Sequence, residues 1–195
     1  MKKFLKIFVL LLFIVLVYLR ISIYPQLDLI SGFASKSVAS GHFLDNRSLE
    51  TIQQGDNDID KVDWATNEID NNGQFATASV HGLKERKAIY RKGLGATLIN
   101  DDFDVTQPYL VPKRTQIKNN LPFPYGNNEP TDTVFSNIDY KKLNAVVDNA
   151  FDTKGKKDKR TRSVIVIYKD KIIAEKYADG FNKNSRILGW SMTKS

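Results

Sequence analysis

Near its end the chain carries a serine and a lysine at a spacing that could support nucleophilic catalysis. Ser191 and Lys194 are separated by two residues in the stretch SMTK. On a helix, side chains three positions apart lie on one face, so the lysine amine can reach the serine hydroxyl. A serine hydroxyl is a weak nucleophile until its proton is removed, and a desolvated lysine can remove it. A serine in the first turn of a helix also lies where free backbone N–H groups favour an anion.

The S-x-x-K pattern is weakly specific when it is taken alone. The chain has 12 serines, and about one residue in ten is lysine, so chance alone gives about one match. An exposed serine and lysine at an ordinary helix N-terminus is therefore an alternative explanation. The motif by itself leaves that alternative open.

Two further patterns resemble the start of a ligand site, but each lacks a residue that such a site requires at a fixed position. Asp56, Asp58 and Asp60 match the first three positions of a calcium-binding loop, but the glycine and glutamate that the loop also needs are replaced. Gly93-Leu94-Gly95 begins like a dinucleotide-binding turn, but Leu98 occupies the place of the third glycine. We therefore predict a solvated loop or short helices for the first pattern and a turn for the second, with no metal site and no cofactor.

The composition excludes several kinds of chemistry. The chain has no cysteine, so disulfides, thiolate metal sites and cysteine nucleophiles are excluded. His42 and His81 are the only histidines, and neither has a neighbour at a metal-ligand spacing. The net charge of +7 comes from the flanks of the N-terminal apolar run and from the basic stretch 154–162. Because these charges do not cover a face with aromatic residues, we predict no nucleic-acid binding.

The first 24 residues predict a membrane anchor. Thirteen uninterrupted apolar residues, 7–19, follow Lys2, Lys3 and Lys6. A signal-peptidase pattern does not follow closely, and the nearest candidate, Ser37-Val38-Ala39, lies far downstream. We therefore predict an uncleaved signal anchor whose basic end stays in the cytoplasm.

The rest of the chain predicts an α+β protein. Residues 45–70 are polar and acidic, whereas 75–80 and 87–99 have the alternation and β-branched content of strands. Asp139 can cap a helix whose apolar side chains fall on one face, namely Leu143, Val146, Val147, Ala150 and Phe151. Residues 163–168 predict a buried strand, which pairs with 172–178 in a hairpin. A polar connection, 179–190, then leads into the S-x-x-K motif.

This order of elements resembles the opening of the serine β-lactamase-like fold of the penicillin-binding-protein superfamily. The closest likeness is to the class C β-lactamase-related serine hydrolases, which include esterases and 6-aminohexanoate-dimer hydrolase. The most specific element is WSMTKS at 190–195. Two upstream stretches, 31–41 and 78–98, are similar to the N-terminal part of membrane-anchored members, so the likeness covers most of residues 31–195.

The resemblance implies roles for the two motif residues. Ser191 is the nucleophile that becomes acylated, and Lys194 is the general base or its electrostatic partner. The other motifs of such enzymes, a Tyr-x-Asn or Tyr-x-Ser element and a Lys- or His-x-Gly strand, do not follow Ser191 in this chain. The sequence is therefore expected to be the N-terminal fragment of a longer enzyme, inactive when taken alone.

Together these observations predict four regions and a function. We expect an anchor at 1–24, a polar acidic linker at 25–74, a β-rich module and loop at 75–135, and the start of a β-lactamase/transpeptidase-like catalytic domain at 136–195. The expected function is that of a single-pass inner-membrane serine hydrolase whose catalytic part is periplasmic and which cleaves a small or peptide-like amide or ester. The alternatives are a non-catalytic anchored periplasmic binding or regulatory domain and an anchored structural protein. The sequence indicates no oligomeric state.

Overall fold

The computed structural model describes residues 2–113, 115, 119–131, 133–153, 155–156 and 158–189. The chain divides into two compact units, Met1–Lys113 and Arg114–Ser195. The helices are α1 (Lys2–Tyr18), α2 (Tyr24–Asp45), α3 (Leu49–Gln54) and α4 (Tyr140–Asn149). The strands are β1 (Ala65–Asp70), β2 (Phe75–Val80), β3 (Leu83–Arg91), β4 (Gly95–Ile99), β5 (Ser163–Tyr168) and β6 (Lys171–Tyr177). The chain is thus a mixture of helices and antiparallel sheets, as the sequence predicts.

A short π-helical segment, Leu19–Ile23, joins α1 to α2 within one continuous helical run. The cause is Pro25, the second residue of α2. Proline has no backbone N–H, and its ring clashes with the carbonyl oxygen four residues earlier. A wider π turn relieves that clash, and its hydrogen bond runs from the Tyr24 N–H to the Leu19 carbonyl oxygen.

The first unit is built by packing α2 on an antiparallel sheet of order β1-β2-β3-β4. Side chains alternate between the two faces of β2, so Ala76, Ala78 and Val80 are buried while the residues between them are only partly covered. The buried residues form two adjoining clusters along α2. Leu27 and Ile30 lie in the cluster near the start of the helix, and Val38 and Ala39 lie in the cluster farther along it.

Small residues let α2 approach its neighbours closely. A Cβ atom on Gly41 would lie only 2.8 Å from side-chain carbons of Ile52 and 2.9 Å from a guanidinium nitrogen of Arg47. Ile52 belongs to α3 and is fully buried. The glycine therefore makes room for α3 to lie against α2.

A buried cluster of charges lies beside the same contact. The Arg47 guanidinium is 2.9 Å from the Asp45 carboxylate and 2.5 Å from the Asp56 carboxylate. All three side chains are nearly buried, with at most 12% of each exposed. Removing one partner of such a buried pair costs about 3–5 kcal/mol, because the other charge is left uncompensated. Asp56 thus has an arginine partner within the fold of the first unit.

The structure differs from the sequence expectation over 25–74. The sequence predicts a polar acidic linker there, but the segment contains α2, α3 and β1 of the first unit. The reason is that α2 is buried largely through serine, glycine and alanine, so its core face lacks the large apolar residues from which amphipathic helices are recognised. The polar stretch before β1 also includes a short 3-10 turn, Val62–Trp64.

The described part of the second unit contains α4 and the β5–β6 hairpin. The Asp139 carboxylate accepts a hydrogen bond from the Lys142 N–H at 3.0 Å, which confirms the predicted helix cap. The hairpin is confirmed as well. Its two turn residues, Lys169 and Asp170, have φ values of 47° and 59°, as a type I′ turn requires.

The prediction that 163–168 is a buried strand is wrong for the described residues. Ile165 and Ile167 are 46% and 50% exposed. On α4, Val147 is buried but Val146 is 67% exposed. A ten-residue helix covers only part of one face of the hairpin, and the continuous apolar run of β5 therefore leaves two isoleucines in contact with solvent.

Candidate functional site

Ser191 and Lys194, the candidate nucleophile and base, lie outside the described residues. The described chain leads towards them as far as Gly189. The local geometry of the candidate site is therefore that of the elements immediately before it: α4, the β5–β6 hairpin and the connection 178–189.

The hairpin is tied to α4 by contacts of one lysine. Lys176 Nζ on β6 lies 2.5 Å from the Asp148 carboxylate and 5.3 Å from the centre of the Phe151 ring. The carboxylate and the ring together hold the ammonium group over the end of the helix. Both charged side chains are substantially exposed, so this ion pair orients β6 more than it stabilises it.

The connection after β6 begins with an ordered turn. The Ala178 N–H donates to the Arg162 carbonyl oxygen at 2.9 Å, which extends the hairpin by one hydrogen bond. The Arg162 guanidinium then lies 5.4 Å from the Phe181 ring centre. Farther on, the Asn182 N–H donates to Ser185 Oγ, and the Ser185 N–H donates to the Asn182 carbonyl oxygen. These reciprocal bonds define the path of the chain towards Gly189.

The loop before α4 contacts both the hairpin turn and the connection. Tyr125 donates from its hydroxyl to the Asp170 carboxylate at 2.7 Å. That hydrogen bond raises the pKa of Tyr125, because the neutral phenol is the form that can donate. Lys183 forms an ion pair with Glu129 of the same loop, and this pairing raises the pKa of the lysine. The loop thus holds the connection at two points.

Tyr177, the last residue of β6, is the titratable group most perturbed in this region. Partial burial and a hydrogen bond to the Glu175 carboxylate raise the pKa of Tyr177 to about 12. At neutral pH its hydroxyl is therefore a proton donor and not a base. Tyr177 is therefore not a group of the kind that would activate a serine.

The histidines lie within or at the edge of the first unit. His42 Nδ1 is 3.0 Å from the Arg47 carbonyl oxygen, and His42 Nε2 is 2.8 Å from Asn71 Oδ1. His81 is exposed in the β2–β3 turn with a positive φ of 52°. His42 thus has partners for both ring nitrogens within the first unit, and His81 is exposed.

Gly93-Leu94-Gly95 lies in the β3–β4 turn, as predicted. Gly93 and Gly95 have φ values of 81° and 90°, which favour glycine. A dinucleotide-binding turn would instead connect a strand to a helix. Across the ranges that the structure describes, acidic and histidine side chains form no cluster of three or more that could hold a metal ion.

A shallow polar cavity of about 460 Å³ lies at the β1–β2 turn of the first unit. Its polar walls include Asp70 and Asn71. The Asp70 carboxylate accepts the Gly73 N–H at 2.7 Å, and Asn71 is the partner of His42. The first bond closes the turn and the second joins the turn to α2, so both groups already have partners within the fold.

The described residues contain one helix that is long and apolar enough to cross a membrane, the continuous run Lys2–Asp45. Its most apolar 18-residue window has no buried residue. From Phe4 to Ile21 the large side chains project away from the rest of the first unit. This exposure distinguishes the segment from the core helix of a globular domain and is consistent with single-pass anchoring.

Sequence analysis missed the surroundings of Tyr24, where the apolar helix meets the folded part of the first unit. The guanidinium of Arg20 and the ammonium of Lys84 lie 4.7 Å and 4.8 Å from the centre of the Tyr24 ring. A lysine next to a strand turn is too common to indicate this contact from the sequence. Only the packing of the β2–β3 turn against the start of α2 reveals it.

Comparison of the chain with protein-family models, with curated proteins and with solved structures finds no match.

Proposed function

We propose that the protein is a membrane-anchored serine hydrolase that cleaves an amide or an ester through an acyl-serine at Ser191. The observation that carries the proposal is the position of the S-x-x-K motif directly after a helix, an antiparallel hairpin and an ordered connection. The second unit contains α4 followed by the β5–β6 hairpin, and this order of elements before the motif supports the proposal.

The proposed chemistry needs only the serine, the lysine and water. The Lys194 amine accepts the proton of Ser191 Oγ while that oxygen forms a bond to the substrate carbonyl carbon. The proton then passes to the leaving nitrogen or oxygen as its bond to the carbonyl carbon breaks. Water hydrolyses the resulting ester, which returns Ser191 to its free form. The hairpin supports this scheme by offering an open apolar face and an edge at β5 against which further strands can pack.

The proposed location is the inner membrane, with the second unit on the extracytoplasmic side. The basic residues Lys2, Lys3 and Lys6 favour a cytoplasmic N-terminus. Retention of the anchor is supported by the burial of Ser37, Val38 and Ala39 within α2. Cleavage after that stretch would divide the helix on which the whole sheet packs.

Labelling with a fluorophosphonate probe tests the proposal on the full-length gene product in membranes. Ser191→Ala should abolish labelling, whereas the matched change Ser195→Ala should leave it intact. Lys194→Ala should slow labelling by about 10²-fold or more if proton transfer is lost, and Lys183→Ala should not. Unchanged labelling of the Ser191→Ala variant would contradict the proposal, because the reactive serine would then lie elsewhere.

If no such probe labels the protein, that result would favour the non-catalytic alternative, an anchored binding or regulatory domain.

The anchor is tested separately by N-terminal sequencing of protein extracted from membranes. We expect the mature chain to begin at or near its first residue. A mature N-terminus near Ser40 would show that the apolar segment is removed.

A further inference from the structure

The apolar helical segment has a length that fixes where the chain leaves a bilayer. Residues 2–23 are continuously helical, which at 1.5 Å per residue gives about 33 Å. The hydrocarbon core of a bilayer is about 30 Å thick. Tyr24 therefore falls at the boundary between hydrocarbon and headgroups, which is where tyrosine and tryptophan are enriched in membrane proteins.

One end of the four-stranded sheet lies at the level of Tyr24. Ala65 of β1 pairs with Val80 of β2, so the residues just before Ala65 and just after Val80 share that end. Both paired residues belong to the buried cluster that contains Leu27 and contacts Tyr24. Trp64 and the β2–β3 turn are therefore held beside the start of α2.

The exposed side chains at this end of the sheet are of the types that suit the interface between a membrane and water. Trp64 is 47% exposed and Leu83 is 48% exposed. Lys84 follows Leu83, and its ammonium group shares the Tyr24 ring with the guanidinium of Arg20. Aromatic side chains with an apolar body and a polar tip, next to lysine and arginine with long apolar stems, suit the headgroup layer.

The opposite end of the sheet provides a comparison of similar composition. The β3–β4 turn carries an exposed lysine, Lys92, and a 42% exposed leucine, Leu94. The next residue, Gly95, lies beside Leu44 near the end of α2. Strand β3 has nine residues, so the two turns are separated by about 26 Å along the strand. Composition does not distinguish the two turns, but their distance from the membrane helix does.

We propose that the surface formed by Tyr24, Trp64, Leu83 and Lys84 is a membrane-docking surface that lies in the headgroup layer of the bilayer spanned by the helical segment 2–23. The inference rests on the anchoring included in the proposed function. Its occupant is the phospholipid leaflet, because α2 continues from the spanning segment without a loop that could carry the sheet away. Docking would fix the tilt of the first unit on the membrane.

The charges near the surface predict a limited preference for anionic lipid. Lys84 and Arg20 face the Tyr24 ring, whereas Arg86 is neutralised by Asp28 at 2.7 Å. Lys61 precedes the 3-10 segment nearby and lies between two acidic residues, and an exposed glutamate follows Lys84, so these neighbours add no net positive charge. One lysine near an anionic surface changes an equilibrium about fivefold. Docking should therefore depend mainly on the apolar and aromatic side chains, and to a smaller degree on Lys84.

The absence of cysteine from these 195 residues allows a direct test by single-cysteine labelling of this chain. Leu83→Cys and Leu94→Cys, which have similar exposure, are each labelled with a small fluorophore and reconstituted in phosphatidylcholine vesicles that contain headgroup nitroxide lipids. We expect strong quenching at position 83 and only the aqueous background at position 94.

The contribution of charge is tested in vesicles that also contain phosphatidylglycerol. There, Lys84→Gln should lower the ratio of docked to undocked protein about fivefold, and Lys92→Gln should not change it.

Two outcomes separate this inference from the anchoring on which it rests. Protein that an alkaline carbonate wash removes from the vesicles would overturn the anchoring and the docking surface together. Protein that is retained, but whose label at position 83 is quenched no more than the label at position 94, would overturn the docking surface alone.

Discussion

The two units use the same types of element but bury them to different extents. In the first unit, one long helix covers a four-stranded sheet, and two clusters of apolar side chains are buried between them. In the described part of the second unit, a ten-residue helix lies against a two-stranded hairpin, and Val147 is the one buried apolar side chain. The difference teaches that a hairpin with an apolar pattern does not bury itself, because burial needs a second layer of matching area.

The interactions that hold each unit differ accordingly. The first unit combines apolar burial with the nearly buried contacts of Arg47. The second unit is held by ion pairs that are substantially exposed, such as Lys176–Asp148, and by hydrogen bonds of its loops. Exposed pairs contribute at most about 1 kcal/mol each. We therefore expect the first unit to be the more stable of the two, and substitutions of the same type should separate them.

The largest difference is expected for a valine replaced by aspartate in each unit. Val38 on α2 is fully buried, and Val146 on α4 is 67% exposed. Val38→Asp should destabilise the first unit by more than about 4 kcal/mol, since a buried carboxylate would have no partner. Val146→Asp should change the stability of the second unit by about 0.5 kcal/mol or less. Hydrogen exchange of each unit in detergent micelles measures both changes in stability. Equal losses of protection in the two variants would contradict the expected difference in burial between the units.

A smaller difference is expected for an isoleucine shortened to alanine in each unit. Ile52 of α3 is fully buried, and Ile167 of β5 is half exposed. Ile52→Ala should lower the stability of the first unit by about 2–5 kcal/mol, because it leaves a cavity beside Gly41. Ile167→Ala should cost less than about 1 kcal/mol, since its side chain already contacts water. Urea unfolding followed by hydrogen exchange distinguishes the two, and a larger loss for Ile167→Ala would show that β5 is covered in solution.

Removal of a helix cap should cost a similar free energy of unfolding in each unit. The effect on the capped helix itself should nevertheless differ between the two units. Ser48 caps α3 through the Thr51 N–H at 3.2 Å, and Asp139 caps α4 through the Lys142 N–H. Each alanine substitution should cost about 1 kcal/mol. In α3 the buried Ile52 still holds the helix in place, whereas α4 should lose most of its protection from exchange. Asp139→Asn, which keeps a capping oxygen, should restore protection of α4. If it does not, the cap is not the cause.

The smallest effect is expected from pH. The pKa of Tyr177 is raised from its ordinary value of 10 to about 12, so the folded form favours the neutral phenol. The resulting stabilisation is complete below pH 10 and is lost as the pH rises from 10 towards 12. Tyr177→Phe should weaken this dependence in the second unit without abolishing it, because the raised pKa values of Tyr125 and Lys183 act in the same direction. Tyrosinate absorbance and circular dichroism measured together test it, and a variant that unfolds with the same pH profile would exclude Tyr177 as the cause.

Several elements could be predicted from the sequence because their signals are local. The Asp139 cap, the hairpin at 163–177 and the turn at Gly93 depend on residues that are neighbours in the chain, and the structure has all three. The apolar run near the N-terminus is a local signal of the same kind. By contrast, the sequence predicts a linker where α2 lies, because the packing of that helix depends on the absence of large side chains at Gly32 and Gly41. That absence has meaning only when Leu98 and Ile52 are brought against the helix.

The same distinction between local sequence signals and packing of distant residues applies to the candidate site. The sequence determined the residue types and their spacing: the serine and lysine of S-x-x-K, the hairpin before them, and an apolar segment long enough to span a bilayer. These are properties of consecutive residues and need no partner from elsewhere in the chain. Only the tertiary structure decided which apolar strand is buried and which remains exposed, and which of two similar turns lies beside Tyr24. Those outcomes depend on strand register and on the area that each helix can cover, and both are set by residues far apart in the chain.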